Sequence, residues 1–245
     1  MTGIILFTDF GPYGPYVGQM ESVLRQTAPN VPVINLLSNA PAADPRLSSY
    51  LLAALRQSFP VNSIFLTVVD PGVGGERKAV VLQADGQTFV GPDNGLLNTV
   101  AVHAQNTQWS QIIWRSKHCS MSFHGRDIFA PIAAKLAINQ ADELLLPFGR
   151  NDLYDWPQDL AEVIYFDHYG NAMTGLRYSE AFFRKTLTVN GIQIKQADTF
   201  SAVDEQQAFW YKNSSGLVEI AVNKGHAEQQ LALKLGMQIG FSSIC

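Results

Sequence analysis

Apolar and polar residues follow two different periods along the first 145 residues of the chain. Short apolar runs at 3–7, 31–37 and 63–69 predict buried strands. Between these runs, apolar residues recur every three or four positions at 16–27 and again after Asp44-Pro45, where the Asp is a favourable N-cap and the Pro a favourable first helical residue. Strands that alternate with helices in this way predict a layered α/β domain with a largely parallel sheet.

The second half of this region predicts shorter elements of both kinds. Further strands are predicted at 78–83, 88–90 and 111–114, because each is a brief apolar run. Helical spacing recurs at 95–102 and 127–139. We therefore expect the layered arrangement to continue through this region.

The pattern changes after a polar stretch at 148–152, which we interpret as a linker between two domains, 1–150 and 158–245. Beyond it, strand signals dominate. Asn190-Gly191 lies between two apolar runs and is the favoured sequence of a type I′ hairpin turn. A second hairpin is predicted around a turn at 213–216. The second domain is therefore expected to be smaller and rich in strands.

Composition narrows the class of protein. Hydrophobic residues make up 47% of the 245 residues and charged residues 16%, which is enough apolar material for a folded core. The net charge of −4 and the lack of a basic run argue against a nucleic-acid partner, and no apolar run is long enough to span a membrane. We see no signal peptide, and Cys119 and Cys245 have no disulfide or metal spacing, so a cytoplasmic location is expected.

The segment Asp70–Arg77 is rich in Pro and Gly and joins a carboxylate to a guanidinium. The third predicted strand brings Asp70 to its carboxyl end, and one Pro and three Gly then turn the chain before Arg77. Ligands of open α/β sheets bind outside the carboxyl ends of the strands, so we expect a site there. Four more polar clusters follow predicted strands or open predicted helices: Thr8–Gly11, Gly91–Gly95, Phe123–Asp127 and Asp167–Asn171.

Each cluster also has a purely structural interpretation. Asp70 and Arg77 could form an ion pair that only stiffens their loop, and Asp127 is placed to cap the helix that it begins. Asp9, Asp70 and Asp93 together could bind Mg²⁺, whereas the histidines lack the spacing of a zinc site. The chain has no dinucleotide-binding fingerprint, P-loop or nucleophile elbow.

The order and content of these clusters resemble one known family. The sequence is similar to the S-adenosyl-L-methionine (SAM) hydroxide adenosyltransferases, which are SAM hydrolases related to the fluorinase and chlorinase halogenating enzymes. The resemblance covers nearly the whole chain and rests on five motifs, with a weaker echo at Asp167–Asn171: Thr8–Gly11, Tyr16–Met20, Val68–Gly74, Gly91–Leu97 and Phe123–Pro131.

This resemblance implies a fold, an assembly and a reaction. The fold is an α/β N-terminal domain followed by a β-barrel-like C-terminal domain. The assembly is a homotrimer in which SAM binds between the N-terminal domain of one subunit and the C-terminal domain of the next. The reaction splits SAM with water into adenosine and methionine. No cofactor or metal is implied, because SAM is the substrate.

The resemblance also assigns roles to eight residues. Asp70, Arg77 and His124 match the catalytic set of the family. On this basis Arg77 and His124 bind the attacking water and Asp70 orients them, with either His124 or Asp70 accepting the proton. Five residues match the substrate contacts: Asp9 for the ribose hydroxyls, Asp167 for the methionine ammonium, Asn171 for the adenine, Ser214 for the methionyl carboxylate and Ala227 for a backbone contact to the adenine.

Some positions depart from the family pattern. The usual Asp-x-x-His segment is replaced within 34–39, the usual Phe is Tyr169, and the usual Thr-Asn is Thr174-Gly175. The halogenating relatives carry an Arg where this chain has Ser215, and they have a longer loop for which we see no room after Arg77. Three alternatives to a SAM hydrolase stay open: a SAM-dependent halogenase, a non-catalytic protein that binds adenosine or SAM, and an unrelated α/β hydrolytic enzyme that uses Mg²⁺.

Overall fold

Strands and helices alternate in the first part of the chain, as the two hydrophobic periods predict. The computed structural model describes residues 3–150 and 152–242. Its first unit, Met1–Trp156, contains these elements: β1 (Ile4–Thr8), α1 (Tyr16–Thr27), β2 (Val33–Leu37), α2 (Pro45–Leu55), β3 (Ile64–Val68), β4 (Ala79–Ala84), β5 (Gln87–Pro92), α3 (Asn98–His103), β6 (Thr107–Ile112), a π-helix (Gly125–Phe129), α4 (Ala130–Ala137) and β7 (Leu145–Pro147).

The strands of this unit form one seven-stranded sheet in the order β2-β1-β3-β5-β4-β6-β7. The pairs among β2, β1, β3 and β5 are parallel, and β4, β6 and β7 add antiparallel pairs. Thr8 at the end of β1 lies opposite Val68 at the end of β3. Asp9 directly follows β1 and Asp70 lies two residues after the end of β3, so both leave the sheet at the same edge.

Helices cover the sheet and bury its apolar side chains. Met20 and Leu24 of α1 are fully buried and belong to the same core cluster as Ile132 of α4. The predicted N-cap of α2 is confirmed, because Asp44 Oδ1 accepts a hydrogen bond of 2.9 Å from the backbone N–H of Leu47. The bounds predicted for α1 are also confirmed, since its apolar spacing ends where the helix does.

Several predicted elements of this unit have different bounds in the structure; the helix expected at 95–102, for example, spans Asn98–His103. The strand expected at 111–114 spans Thr107–Ile112, because its backbone pairs with β4 from Thr107 onward although the first two side chains are polar and exposed. The helix expected at 127–139 starts two residues earlier, as a π-helix. Asp127 therefore lies inside the helical segment and is not its N-cap, which corrects the capping interpretation.

The second unit, Pro157–Cys245, consists mainly of strands. Cys245, one of the two cysteines considered above, lies outside the described residues. The elements of this unit are β8 (Leu160–Phe166), β9 (Ala172–Arg177), β10 (Thr186–Val189), β11 (Ile192–Ile194), β12 (Ala208–Lys212), β13 (Leu217–Val222), α5 (Ala227–Gln230) and β14 (Ile239–Ser242). Both predicted hairpins are confirmed, and Asn190 and Gly191 have the positive φ angles of a type I′ turn.

These strands form two antiparallel sheets around one core. One sheet has the order β12-β13-β9-β8 and the other β11-β10-β14. Single bridges, Glu162–Gln238 and Gln196–Trp210, link their edges, so no continuous ladder closes a barrel among the described residues. The predicted class, an α/β domain followed by a smaller β-rich one, is confirmed. The expected barrel is therefore not closed: among the described residues, only these two isolated bridges connect the two sheets.

None of the helices in the described part of the chain is both long enough and apolar enough to cross a membrane.

Candidate functional site

Asp70 is held in place by the end of the neighbouring strand. It follows β3, whose five residues are all buried. Asn94, just beyond β5, donates a hydrogen bond of 2.8 Å from Nδ2 to the carbonyl oxygen of Val69. The Oδ1 atom of Asn94 accepts from the backbone N–H of Leu96 at 3.2 Å, which fixes the orientation of the amide. The predicted turn at Gly91–Gly95 thus has a structural role that bears directly on Asp70.

The glycine-rich loop after Asp70 turns the chain back to the same point. The N–H of Val73 donates to the carbonyl of Asp70 at 3.2 Å, and Gly74 has a φ of +81°. A Cβ on Gly74 would lie 2.6 Å from the carbonyl oxygen of Met121, so the loop packs closely on the segment that precedes His124. This packing brings Arg77 within reach of both Asp70 and His124.

Asp70, Arg77 and His124 form one hydrogen-bonded set. Arg77 Nε donates to Asp70 Oδ1 at 2.9 Å, and Arg77 Nη2 donates to Asp70 Oδ2. The same Nη2 lies 2.9 Å from His124 Nδ1. The side chains of Asp70 and Arg77 are only 4% and 11% exposed, so the pair is shielded from water. The predicted internal ion pair therefore exists, and it includes a histidine 47 residues away.

The contact with Arg77 fixes the tautomer of His124. A guanidinium has donors and no acceptor, so His124 Nδ1 accepts and the ring proton lies on Nε2. Burial lowers the pKa of His124 below its ordinary value of 6.5, and the charge of Arg77 lowers it further. His124 is therefore neutral at pH 7 and offers an Nε2–H donor.

Asp70 and His124 line a small cavity together with Asp9. Its volume is about 110 Å³, and aromatic side chains, Phe10 and Phe123, form part of its wall. A larger hollow of about 670 Å³ surrounds the turn at Asp85–Gln87, and its lining includes none of the eight predicted residues, all of which the structure describes. The small cavity is the candidate site because Asp9, Asp70 and His124 line it.

Asp9 is the second carboxylate of this cavity. Its Oδ2 atom accepts a hydrogen bond of 2.9 Å from the backbone N–H of Ala43. Burial raises the pKa of Asp9, the bond from Ala43 opposes that rise, and the nearby charge of Asp70 adds to it. A hydroxyl donor from a ligand would stabilise such a carboxylate.

Aromatic side chains beside the cavity were not predicted as part of the site. The rings of Phe10 and Phe123 meet edge to face with centroids 5.8 Å apart, and Tyr16 lies 5.3 Å from Phe123. Phe10 and Phe123 directly follow or precede polar positions singled out in the sequence, and that adjacency is the signal that could have revealed them. These rings provide an apolar surface for a flat ligand group.

Other acidic candidates are engaged in structural contacts. Asp93 forms an ion pair with the buried Arg150, and Asp127 accepts from the N–H of Ser120 at 2.8 Å and pairs with Arg126. Burial works to raise the pKa of Asp127, but the hydrogen bonds from Arg126 and Ser120 outweigh it and the pKa is lowered. Within residues 3–150 and 152–242, no group of three His, Cys, Asp or Glu side chains is arranged to hold a metal ion.

The four predicted residues of the second unit fall into two places. Asp167 accepts from the N–H groups of Tyr169 and Asn171 at 2.9 Å, and from Asn171 Nδ2 at 2.9 Å. The backbone N–H of Glu228 donates to Gly170 in this loop at 3.0 Å, so the start of α5 with the buried Ala227 is adjacent. The structure thus groups Asp167, Asn171 and Ala227.

Ser214 belongs to a different turn of the same unit. It is exposed on the turn at Asn213–Gly216, between β12 and β13. The side chain of Asn213 holds this turn from inside, since its Oδ1 accepts from the N–H groups of Ser215 and Leu217. No hydrogen bond of the described residues joins Ser214 directly to the Asp167 loop.

Comparison with known proteins finds relatives along nearly the whole chain. Residues 4–145 match the family model of the SAM hydroxide adenosyltransferase N-terminal domain, and residues 161–240 match that of the C-terminal domain. The chain is 35% identical to the (R)-S-adenosyl-L-methionine hydrolase of Thermus thermophilus, over 98% of this chain and 99% of that protein. The crystal structure of an uncharacterized conserved protein from Thermotoga maritima superposes with a TM-score of 0.89 at 31% identity, covering 99% of this chain and 100% of that one.

A halogenating relative is more distant. The fluorinase of Nocardia brasiliensis is 21% identical over 96% of this chain and 95% of that protein. The two family models together span both units, and the set of Asp70, Arg77 and His124 lies within the residues that the first of them matches. The chain therefore belongs to the SAM hydroxide adenosyltransferase family.

Proposed function

We propose that this protein hydrolyses SAM to adenosine and L-methionine. The observation that carries the proposal is the hydrogen-bonded set of Asp70, Arg77 and His124, two members of which line a cavity at the carboxyl ends of β1 and β3. The name of the Thermus thermophilus relative supports it, and that name also specifies the (R) configuration at sulfur. We extend that preference to this chain.

The chemistry asks little of the protein beyond positioning and charge. SAM carries a sulfonium, so the neutral thioether of methionine is already a good leaving group. An oxygen nucleophile held in line with the C5′–S bond forms the new C5′–O bond as the C5′–S bond breaks, and both electrons of that bond go to sulfur. Fixing this geometry removes much of the entropic barrier.

The tautomer of His124 determines how the oxygen is held. Because Nδ1 is occupied by Arg77, the ring presents Nε2–H, which is a donor. A donor stabilises hydroxide and does not remove a proton from water. We therefore infer that the water loses its proton to solvent first, and that the site binds hydroxide through His124 beside the charge of Arg77. Asp70 takes no proton in this scheme and holds the guanidinium through two bonds.

The other predicted residues would bind the rest of the substrate. Asp9 lines the cavity, and we propose that it binds the ribose hydroxyls. For the second unit we propose that Asp167 binds the methionine ammonium and that Asn171 and the backbone of Ala227 bind the adenine. Ser214 would contact the methionyl carboxylate, and its exposure on a turn is compatible with that role.

We further propose a homotrimer in the cytoplasm, with each site shared by two subunits. The family resemblance supports the trimer, and the composition supports the location. A halogenase is the less favoured alternative, since Ser215 occupies the position of the halogenating relatives' Arg and the fluorinase is the more distant relative. A protein that binds SAM without turnover is the other alternative.

One labelling experiment tests these possibilities together. The purified protein is incubated with (R)-SAM and, separately, with (S)-SAM in H₂¹⁸O, and the products are identified by mass spectrometry. We expect adenosine with ¹⁸O at the 5′ position and unlabelled methionine, formed faster from the (R) epimer. Unlabelled adenosine would rule out attack of water at C5′, and intact SAM after long incubation would indicate a binding protein. Added chloride yielding 5′-chloro-5′-deoxyadenosine would indicate the halogenase.

A further inference from the structure

One charged residue lies inside a strand that is otherwise apolar. β13 reads Leu-Val-Glu-Ile-Ala-Val, and all six residues are buried. Glu219, its third residue, is only 2% exposed. Burying a carboxylate costs free energy unless hydrogen bonds compensate it, so this position has to have a specific partner.

Glu219 has two partners, one on each carboxylate oxygen. The hydroxyl of Tyr211 donates to Oε1, and Asn213 Nδ2 donates to Oε2 at 2.7 Å. Burial raises the pKa of Glu219 in spite of these bonds, and the charge of Asp167 raises it further. The network therefore connects the strand to the Asn213–Gly216 turn and lies within electrostatic reach of the Asp167 loop.

The bond to Asn213 controls the turn that carries Ser214. Asn213 Oδ1 accepts from the N–H groups of Ser215 and Leu217 at 3.0 and 2.9 Å, and the backbone carbonyl of Asn213 accepts from Gly216 at 3.0 Å. These bonds require Oδ1 to face the turn, so Nδ2 must face the protein interior. Glu219 is the acceptor that satisfies Nδ2 there, and a flipped amide would lose three bonds at once.

We propose that Glu219 is a positioning residue for the methionyl end of SAM, acting through Asn213 on the conformation of the Ser214 turn. This inference rests on the proposed function of Ser214. Glu219 itself need not touch the substrate. It sets where the Ser214 hydroxyl and backbone lie, so its loss would weaken binding of the amino-acid end of a ligand and leave the adenosine end unaffected.

Three variants separate this role from a general effect on folding. Glu219→Leu removes the acceptor for Asn213, Glu219→Gln keeps an acceptor oxygen while its amide can donate to the Tyr211 oxygen, and Tyr211→Phe removes only the other bond. Each is first checked for a cooperative thermal transition. Dissociation constants for S-adenosylhomocysteine and for adenosine are then measured by calorimetry, together with KM and kcat for SAM.

We expect Glu219→Leu to raise the Kd of S-adenosylhomocysteine and the KM for SAM by about tenfold or more, with the Kd of adenosine within about twofold of wild type. The Glu219→Gln and Tyr211→Phe variants should each have dissociation constants and a KM near those of wild type. A folded Glu219→Leu with unchanged KM, or a Tyr211→Phe with the same loss, would overturn the inference. If Glu219→Leu does not fold, Asn213→Ala is measured instead, with the same expectation. Wild-type protein that does not hydrolyse SAM would instead contradict the proposed function, and the S-adenosylhomocysteine comparison would still test Glu219.

Discussion

At the scale of single residues, His124 has a role that its hydrogen bond defines. In the proposed mechanism His124 is a neutral donor to hydroxide, so it would contribute to the rate and little to the binding of SAM. We expect His124→Ala to lower kcat by about 10²–10³-fold, the usual effect of removing one donor to a reacting oxyanion. The Kd of S-adenosylhomocysteine should stay within about threefold of wild type. A variant that binds weakly but turns over normally would contradict this assignment.

The lowered pKa of His124 adds a pH dependence. Protonation would place a second donor, Nδ1–H, against Arg77, so activity should fall with acid, with a midpoint below 6.5. The same shift affects stability. The unfolded chain takes up this proton more readily than the folded one, so the stabilisation is present above the unfolded pKa and is lost as pH falls from that value through the lowered folded pKa. An NMR titration of the His124 ring, assigned with the His124→Ala variant, would test the lowered pKa. A titration midpoint above 6.5 would contradict the assigned tautomer.

Arg77 has a structural role as well as a chemical one. Asp70 is nearly buried, and Arg77 supplies both of its charged bonds. We expect Arg77→Ala to destabilise the protein by about 3–5 kcal/mol, because it leaves a buried carboxylate unpaired. The double variant Asp70→Asn with Arg77→Ala should recover much of that loss in urea unfolding. Equal stability of the single and double variants would show that the unpaired carboxylate is not the cause of the loss.

At the scale of elements, the loop between Asp70 and Arg77 depends on one glycine more than on its neighbours. Gly74 has a positive φ, and a Cβ there would collide with the Met121 carbonyl, whereas a Cβ on Gly72 meets nothing within 4 Å. Gly74→Ala should destabilise the loop by about 1–3 kcal/mol and displace Arg77, lowering kcat/KM. Gly72→Ala is the matched control and should behave like wild type. Equal activity of both variants would show that this packing does not matter.

Elements with local signals could be predicted from the sequence. The bounds of α1, the Asp44 cap and the Asn190-Gly191 hairpin all follow from side-chain spacing or turn chemistry within a few residues. β9 was missed because Gly175 weakens its strand signal. Gly175 is explained only by tertiary packing, since a Cβ at this position would lie 2.7 Å from the Cβ atom of Leu160.

Local sequence signals also predicted part of the candidate site. Asp70 and Arg77 lie only seven positions apart on a short loop, so their pairing could be anticipated from the sequence. His124 lies far along the chain, and only the family resemblance connected it with them. The partner of Asp127 could not be foreseen, because Ser120 reaches it through a loop of irregular backbone. Glu219 carried an unused signal, a lone charge within an apolar strand.

At the scale of the whole molecule, the predicted residues are divided between two units. Asp9, Asp70, Arg77 and His124 belong to the first, and the proposed contacts to adenine and methionine belong to the second. Under the proposed function, neither group by itself would contact every part of SAM. The proposed trimer resolves this if the first unit of one subunit and the second unit of its neighbour share each substrate.

Mixed oligomers provide a direct test of that sharing. One variant carries His124→Ala, and the other carries Asp167→Ala with Asn171→Ala, so each chain alone lacks one half of the site. In randomly mixed trimers, a site receives an intact first unit from one chain and an intact second unit from its neighbour about one time in four. Co-expression with two affinity tags should therefore give about a quarter of wild-type activity, although each variant alone is nearly inactive. Native mass spectrometry verifies mixing, and mixed trimers without restored activity would place both halves of the site in one chain.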